Sequence, residues 1–374
     1  MSARYLYIHV PFCLRRCSYC DFAVHATPTA PVDEWLDCID RELELVRAEQ
    51  GWGRLDLATI YLGGGTPSLL GPGAVPRLVD LLGRHAAWPD DVEFTAEANP
   101  ETFTPALAAD WKAAGVNRIS LGAQTFDPKV LRWMGRMHGP DGPARAIAAA
   151  RNASIDNVSI DLIFGVPARF NRDWTGDLER VVALDPAHVS LYGLTAEAAT
   201  PLGRWVKEGR EILSDEDSYA EEYRTAVRML TQAGFEHYEV SSFARPGRQS
   251  RHNGAYWTGE AYIGLGPGAH SFFPPRRVWN LRSWDAYRSA LAGRMLPRDD
   301  EETVDAAAQR LEQIWLSLRT KGGLDLNGWS GRAAQLGEQW QARGWAAVDG
   351  GRLRLTPEGW LLLDRLAVEL EGVA

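Results

Sequence analysis

Tyr7-Ile8-His9-Val10-Pro11-Phe12-Cys13-Leu14-Arg15-Arg16-Cys17-Ser18-Tyr19-Cys20 decides how the rest of the chain is read. The stretch Tyr5 to Phe12 has the length and apolar content of a buried strand. It runs straight into three cysteines spaced C-x3-C-x2-C. Four cysteines in 374 residues are too few for a disulfide scaffold, so a tight group points to a metal or redox site. Three thiolates on one short loop suit three irons of a cubane [4Fe–4S] cluster. Full ligation takes four cysteines, so one iron would stay open to a small molecule. Zinc is the alternative, but a structural zinc site takes four protein ligands, and no second Cys/His pair follows at zinc spacing. Cys38 sits among apolar residues of a predicted helix and reads as a small buried side chain.

Outward from this loop, strand-like and helix-like segments alternate. Val32 to Glu49 is a predicted helix with Trp35, Leu36, Ile39, Leu43 and Val46 on one face. Thr59 to Leu62 is a predicted strand that ends in Gly63-Gly64-Gly65-Thr66-Pro67. Further strands are expected at Val92 to Glu97, Arg118 to Leu121, Val158 to Phe164 and His188 to Gly193, with helices between them. Six such units predict an α/β fold, a partial (β/α)6 barrel short of the eight units of a closed one. Its chemistry should lie at the C-terminal ends of the strands, where Cys13, Gly63, Glu97, Gln124 and Asp161 all fall.

Beyond residue 200 the pattern changes. Ser214 to Ala233 reads as a long polar-faced helix, Phe235 to Asn280 as an irregular segment rich in Gly, Pro and aromatics, and Asp299-Asp300 as the start of a helical tail. The tail closes with a turn at Val348 to Gly351, a strand at Arg352 to Leu355 and a helix from Thr356, the outline of a small winged-helix-like domain. The expected division is 1–200 for the partial barrel, 201–298 for an α+β extension completing the core, and 299–374 for the winged-helix-like unit.

A net charge of −9 argues against a nucleic-acid-coating protein, and against DNA binding by the terminal unit. There is no run of 18 apolar residues and no signal-peptide pattern at the start, so the expected location is cytoplasmic.

Several residues stand out for chemistry. The Gly63–Gly65 run lets a ligand approach the backbone closely, although a plain turn would use the same residues. Glu97 ends a strand, where a carboxylate suits an ammonium group or a ribose hydroxyl. Gln124 ends another, and Asp161 lies among apolar neighbours where it needs a partner. A structural hydrogen bond is the competing account of each. Arg136, just past a helix, reads by itself as a surface charge. In Arg251-His252-Asn253-Gly254-Ala255-Tyr256-Trp257, an imidazole stands beside two flat aromatic faces. A packed aromatic loop with a hydrogen-bonded histidine reads equally well there. Gly264 to His270 superficially suggests a dinucleotide loop but contains Pro and opens no first βαβ unit.

The segment from Tyr7 through Cys20 resembles the radical S-adenosylmethionine (SAM) superfamily, and within it the anaerobic coproporphyrinogen oxidase-like group. The resemblance extends from Tyr7 to about His270. It implies a [4Fe–4S] cluster on Cys13, Cys17 and Cys20, with SAM on the open iron. It further implies SAM contacts at Gly64, Gly65, Thr66, Glu97, Gln124, Arg136 and Asp161, and at Tyr7 and Tyr19. Two departures weigh against an oxidase. Asp21 and Phe22 follow Cys20 where the oxidases carry a fourth cysteine, and the chain starts almost at its first strand. The His252-Asn253-x-x-Tyr256-Trp257 run is similar to the signature of the HemW-type heme chaperones, which implies heme contacts at His252, Tyr256 and Trp257. That resemblance implies delivery of heme to a respiratory apoprotein, a peripheral membrane contact and a homodimer. A coproporphyrinogen III oxidase and a structural metal-binding module without SAM chemistry are the competing readings.

Overall fold

The computed structural model describes residues 3–373. Six strands alternate with helices: β1 (Tyr5–Val10), β2 (Thr59–Gly64), β3 (Glu93–Ala98), β4 (Arg118–Gln124), β5 (Asn157–Phe164) and β6 (His188–Gly193). Each is parallel to the next, so their order in space is their order in the chain. This is the partial α/β barrel expected from the sequence.

Alternation within the strands makes two different faces. Leu6, Ile8, Val10, Ile60, Leu62, Phe94, Ile119, Leu121, Ile160 and Leu162 pack outward into one core with the helical residues Trp35, Ile39, Leu43, Leu78 and Trp111. The intervening residues are polar, and among them Thr59, Thr95, Arg118, Ser159, His188 and Ser190 are buried. A strand buried on both faces ordinarily reads as a continuous apolar run. Here the inner face carries buried polar groups instead, most of them hydrogen-bonded, with Thr95 Oγ1 and Arg118 Nε left without a partner.

The sheet is wider than the sequence suggests. The segment Phe235 to Asn280, expected to be irregular, holds β7 (Glu236–Glu239), β8 (Ser242–Ala244), the helix Arg251–Trp257, β9 (Tyr262–Leu265), β10 (His270–Phe273) and β11 (Arg276–Asn280). These strands are three to five residues long, too short to display a clear period. Asp299-Asp300 lies within β12 (Arg298–Thr303) rather than starting a helix. Register explains this correction. Arg277 stands opposite Glu302 and forms an ion pair with it, and Arg276 pairs with Glu301, so cross-strand partners override local preference. The full order is β7-β8-β6-β5-β4-β3-β2-β1-β9-β10-β11-β12. Among the described residues β7 and β12 are not joined, so the barrel stays open.

The C-terminal residues form a second core from Ile314, Leu318, Leu336, Trp340, Leu353 and Leu366. The helices Ala306–Leu318, Gly331–Ala342 and Leu363–Glu371 surround a three-stranded sheet of Leu324–Asp325, Ala346–Asp349 and Arg352–Leu355. This is a winged-helix-like arrangement. None of the described helices is long and apolar enough to cross a membrane.

One buried carboxylate ties the late strands to the early ones. Glu42, on the helix Val32–Gln50, accepts the backbone N–H of Gly266 at 2.8 Å, the Asn280 amide and the Tyr287 hydroxyl. Gly266 has φ of 99° and lies so close to β1 that a side chain there would meet the His9 carbonyl oxygen at 2.5 Å. Burial lifts the Glu42 carboxyl to about 7, against the pull of its three donors.

Candidate active site

The cysteine loop leaves β1 and is fastened on both sides. His9 Nε2 pairs with the Ala23 carbonyl at 2.8 Å, the Thr27 amide donates to the Cys13 carbonyl at 2.8 Å, and the Ser18 amide donates to the Met134 carbonyl at 3.1 Å. Cys13, Cys17 and Cys20 are free, partly buried thiols that line one cavity of about 380 Å³. Among the described residues no three His, Cys, Asp or Glu side chains gather around a point as ligands of a single metal ion. A cubane engages each thiolate through a different corner, and three thiols lining one cavity can serve it in that way. Burial pushes the Cys13 thiol up to about 11, opposed by the Thr66 hydroxyl, and burial raises Cys20 as well.

The Gly63–Gly65 turn forms the adjacent wall. The Gly65 amide donates to the Val10 carbonyl at 2.7 Å. A side chain at Gly65 would meet the Phe12 and Val10 carbonyl oxygens at 2.8 Å and the Cys13 sulfur at 3.0 Å. Only glycine lets β2 pass this close to the cysteine loop. The Thr66 hydroxyl points at the Cys13 sulfur, 3.4 Å away.

Glu97, Gln124, Arg136 and Asp161 line the same cavity, as do Gly64, Gly65, Thr66 and Tyr19. Glu97 accepts the Gly64 amide at 2.9 Å and the Tyr61 hydroxyl at 2.8 Å. Burial raises its carboxyl to about 7. Arg136 is buried rather than solvated: its guanidinium donates to Asn99 Oδ1 and to the Gly122 carbonyl, both at 2.7 Å, and approaches the Cys17 sulfur at 3.9 Å. Asp161 accepts the Ser120 hydroxyl at 3.0 Å, and burial raises its carboxyl too. The wall therefore offers carboxylates, amides and guanidinium groups around a space bounded by three sulfurs. A zwitterionic ligand with hydroxyl groups has partners on each side.

Not every candidate reaches this cavity. Tyr7 is not among its lining residues; it lies in the barrel interior, its hydroxyl 3.0 Å from His9 Nδ1 and its ring beside Tyr61. His252 is 1% exposed in the barrel floor. Its Nδ1 pairs with the Thr59 hydroxyl at 2.7 Å and its Nε2 with the Tyr256 hydroxyl at 2.9 Å. Burial, then the charge of Arg118, depresses this imidazole to about 3. Tyr256 and Trp257 instead line a second, open cavity of about 1480 Å³ between the barrel and the C-terminal unit, together with Tyr262, Phe272 and Trp315. His270 is exposed and stacks on Trp279, outside both cavities.

Sequence reasoning missed three residues here. Asn99 joins Thr66, by a 3.1 Å hydrogen bond, to Arg136. It lies two residues past Glu97, so the strand-end position was a usable signal. Tyr61 and Tyr192 left no such signal, because each looks like an ordinary strand aromatic. The structure places Tyr61 against Glu97 and Tyr192 on the cavity wall.

An open parallel barrel with a three-cysteine loop at its rim is the architecture of the radical SAM class, and residues 7–181 match the model of the radical SAM superfamily. The solved coproporphyrinogen III oxidase HemN of Escherichia coli, a radical SAM enzyme, shares the fold with a TM-score of 0.82 at 22% identity, covering 98% of this chain and 89% of that one. The heme chaperone HemW of Mycobacterium tuberculosis is 38% identical over 98% of this chain and 94% of its own length. The heme chaperone HemW of Escherichia coli is 37% identical over 80% of this chain and 79% of its own. The chain belongs to the HemW heme chaperone family within the radical SAM superfamily. A [4Fe–4S] cluster and SAM are the cofactors of that superfamily.

Proposed function

We propose that this protein is a heme chaperone on a radical SAM scaffold, one that holds heme and passes it to a respiratory apoprotein. The observation that carries this reading is near-full-length likeness to proteins named heme chaperone HemW. Cys13, Cys17 and Cys20 would hold the cluster, because they are the free thiols of the cavity. Gly64, Gly65, Thr66, Glu97, Gln124, Arg136, Asp161 and Tyr19 would hold SAM, while Tyr7 lies in the barrel interior beside Tyr61, whose hydroxyl donates to Glu97. The cluster, when bound, supplies an open iron and an electron to the molecule seated beside it. The chain's own residues orient that molecule: Glu97 and Asp161 accept, Arg136 keeps a fixed cation beside Cys17, and the glycine turn lets backbone groups close in.

Heme would occupy the aromatic cavity at Tyr256 and Trp257, whose rings offer flat apolar faces. His252 serves as iron ligand through Nε2 only by giving up Tyr256, with Nδ1 free to stay on Thr59, so heme loading requires the barrel floor to rearrange around Tyr256. A peripheral membrane contact and a homodimer complete the proposal.

Titration of the anaerobically reconstituted chain with hemin tests it. A Soret shift is expected, with affinity falling about tenfold or more in His252→Ala, as for loss of an axial ligand. Incubation with coproporphyrinogen, SAM and reductant should yield no protoporphyrinogen. Turnover of that substrate would reverse the assignment in favour of the oxidase.

A further inference from the structure

The two cavities are separated by the barrel interior, and Tyr61 and His252 together span the gap. Tyr61 lies on β2, in register with Tyr7 on β1 and Thr95 on β3. On one side its hydroxyl donates to Glu97, which lines the cysteine cavity. On the other its ring lies over His252, with centroids 5.0 Å apart and planes 33° from parallel. His252 in turn holds Tyr256, which lines the aromatic cavity. The path from Glu97 through Tyr61 and His252 to Tyr256 is made of direct contacts throughout.

Glu97 is the point at which this path is exposed to competition. Its two oxygens carry one amide and one phenol in the structure. A ligand ammonium arriving in the cavity draws on the same carboxylate, and its charge-assisted hydrogen bond is stronger than that of the neutral phenol. A buried phenol that loses its acceptor is left unsatisfied at a cost, which favours a shift of the ring that carries it. The face packed on His252 then moves.

We propose that Tyr61 is a positioning residue that couples the cysteine cavity to His252. While Glu97 holds the Tyr61 hydroxyl, the Tyr61 ring keeps His252 on Thr59 and Tyr256. When a ligand takes Glu97, that hold is released and His252 becomes available to iron. The inference rests on the functional reading above, in which the first cavity takes SAM and the His252 segment takes heme. It gives SAM and heme a positive coupling, which thermodynamic linkage makes reciprocal.

Hemin titrations of the reconstituted full chain, with and without saturating SAM, test it. SAM should tighten hemin binding to the wild type about tenfold, within the usual range of such couplings. Tyr61→Phe keeps the ring and removes the hydroxyl. It should bind hemin without SAM as tightly as the wild type does with SAM, and SAM should then change its affinity less than about twofold. Iron content and melting temperature should match the wild type. A residue with only a packing role would weaken hemin binding and leave the SAM effect in place, and that result overturns the proposal. In the wild type alone, equilibrium dialysis should show hemin tightening SAM by the same factor; absence of that effect overturns it even if Tyr61→Phe fails to fold. A wild type that binds both ligands without coupling defeats the inference only. A wild type that binds no hemin defeats the functional reading and the inference with it.

Discussion

Replacing Cys13, Cys17 and Cys20 together by Ser should abolish iron binding. After oxygen-free reconstitution the wild type should carry about four irons and four sulfides per chain, and the triple variant less than about one-tenth of that. The three sulfurs line one cavity, and they belong to a loop tied down at His9, Cys13 and Ser18. Single variants should lose most of the iron, because two ligands on a mobile cubane cannot hold it against exchange. Cys38 cannot substitute, since it is 5% exposed in the core between the first helix and the sheet. Cys38→Ala should therefore leave iron content unchanged. Because these thiols are only partly buried, the serines should leave far-UV circular dichroism as it is, which separates loss of the site from loss of the fold. Full iron content in the triple variant would remove the basis for a cluster on this loop.

Strong local signals carried the first half of the chain, and weak ones hid the second. Each of β1 to β6 carries an outward apolar series, and helices such as Val32–Gln50 and Ala74–His85 are amphipathic, so both periods show in the sequence. Cys13, Gly65, Glu97 and Gln124 were legible because strand ends are where an open parallel sheet presents side chains. β10, β11 and β12 were not legible, because their stability comes from pairs such as Arg277 with Glu302 that are 25 residues apart in the chain. Arg136 shows the same limit from the other side. Read alone it is a surface charge, and only the fold brings Asn99, Gly122 and Cys17 around it. The role of Tyr61 depends on two neighbours, Glu97 and His252, that the sequence separates by 155 residues.

Glu42→Ala should be the most damaging substitution outside the two cavities. It strands three buried donors at once: the Gly266 amide, the Asn280 amide and the Tyr287 hydroxyl. Removing one member of such a buried network costs about 3–5 kcal/mol. The loss should depend on pH in a definite direction. Burial raises the folded carboxyl from 4.5 to about 7, so between those values the folded chain keeps a proton that the unfolded chain has released. The stabilising effect of Glu42 is thus complete below the unfolded value, declines as pH rises toward 7, and is flat beyond it. A shift of this size corresponds to about 3 kcal/mol. Glu97 titrates in the same window, so the wild-type curve alone does not isolate Glu42. The difference between wild type and Glu42→Ala does. Urea midpoints should differ widely at pH 5 and much less at pH 8, and a gap that widens with pH would contradict the argument. The effect should also reach the cluster loop. Gly266, released from Glu42, no longer braces the His9 carbonyl, and His9 anchors the loop through Ala23. Glu42→Ala should therefore lose iron faster than the wild type on exposure to a chelator, although Glu42 lines neither cavity.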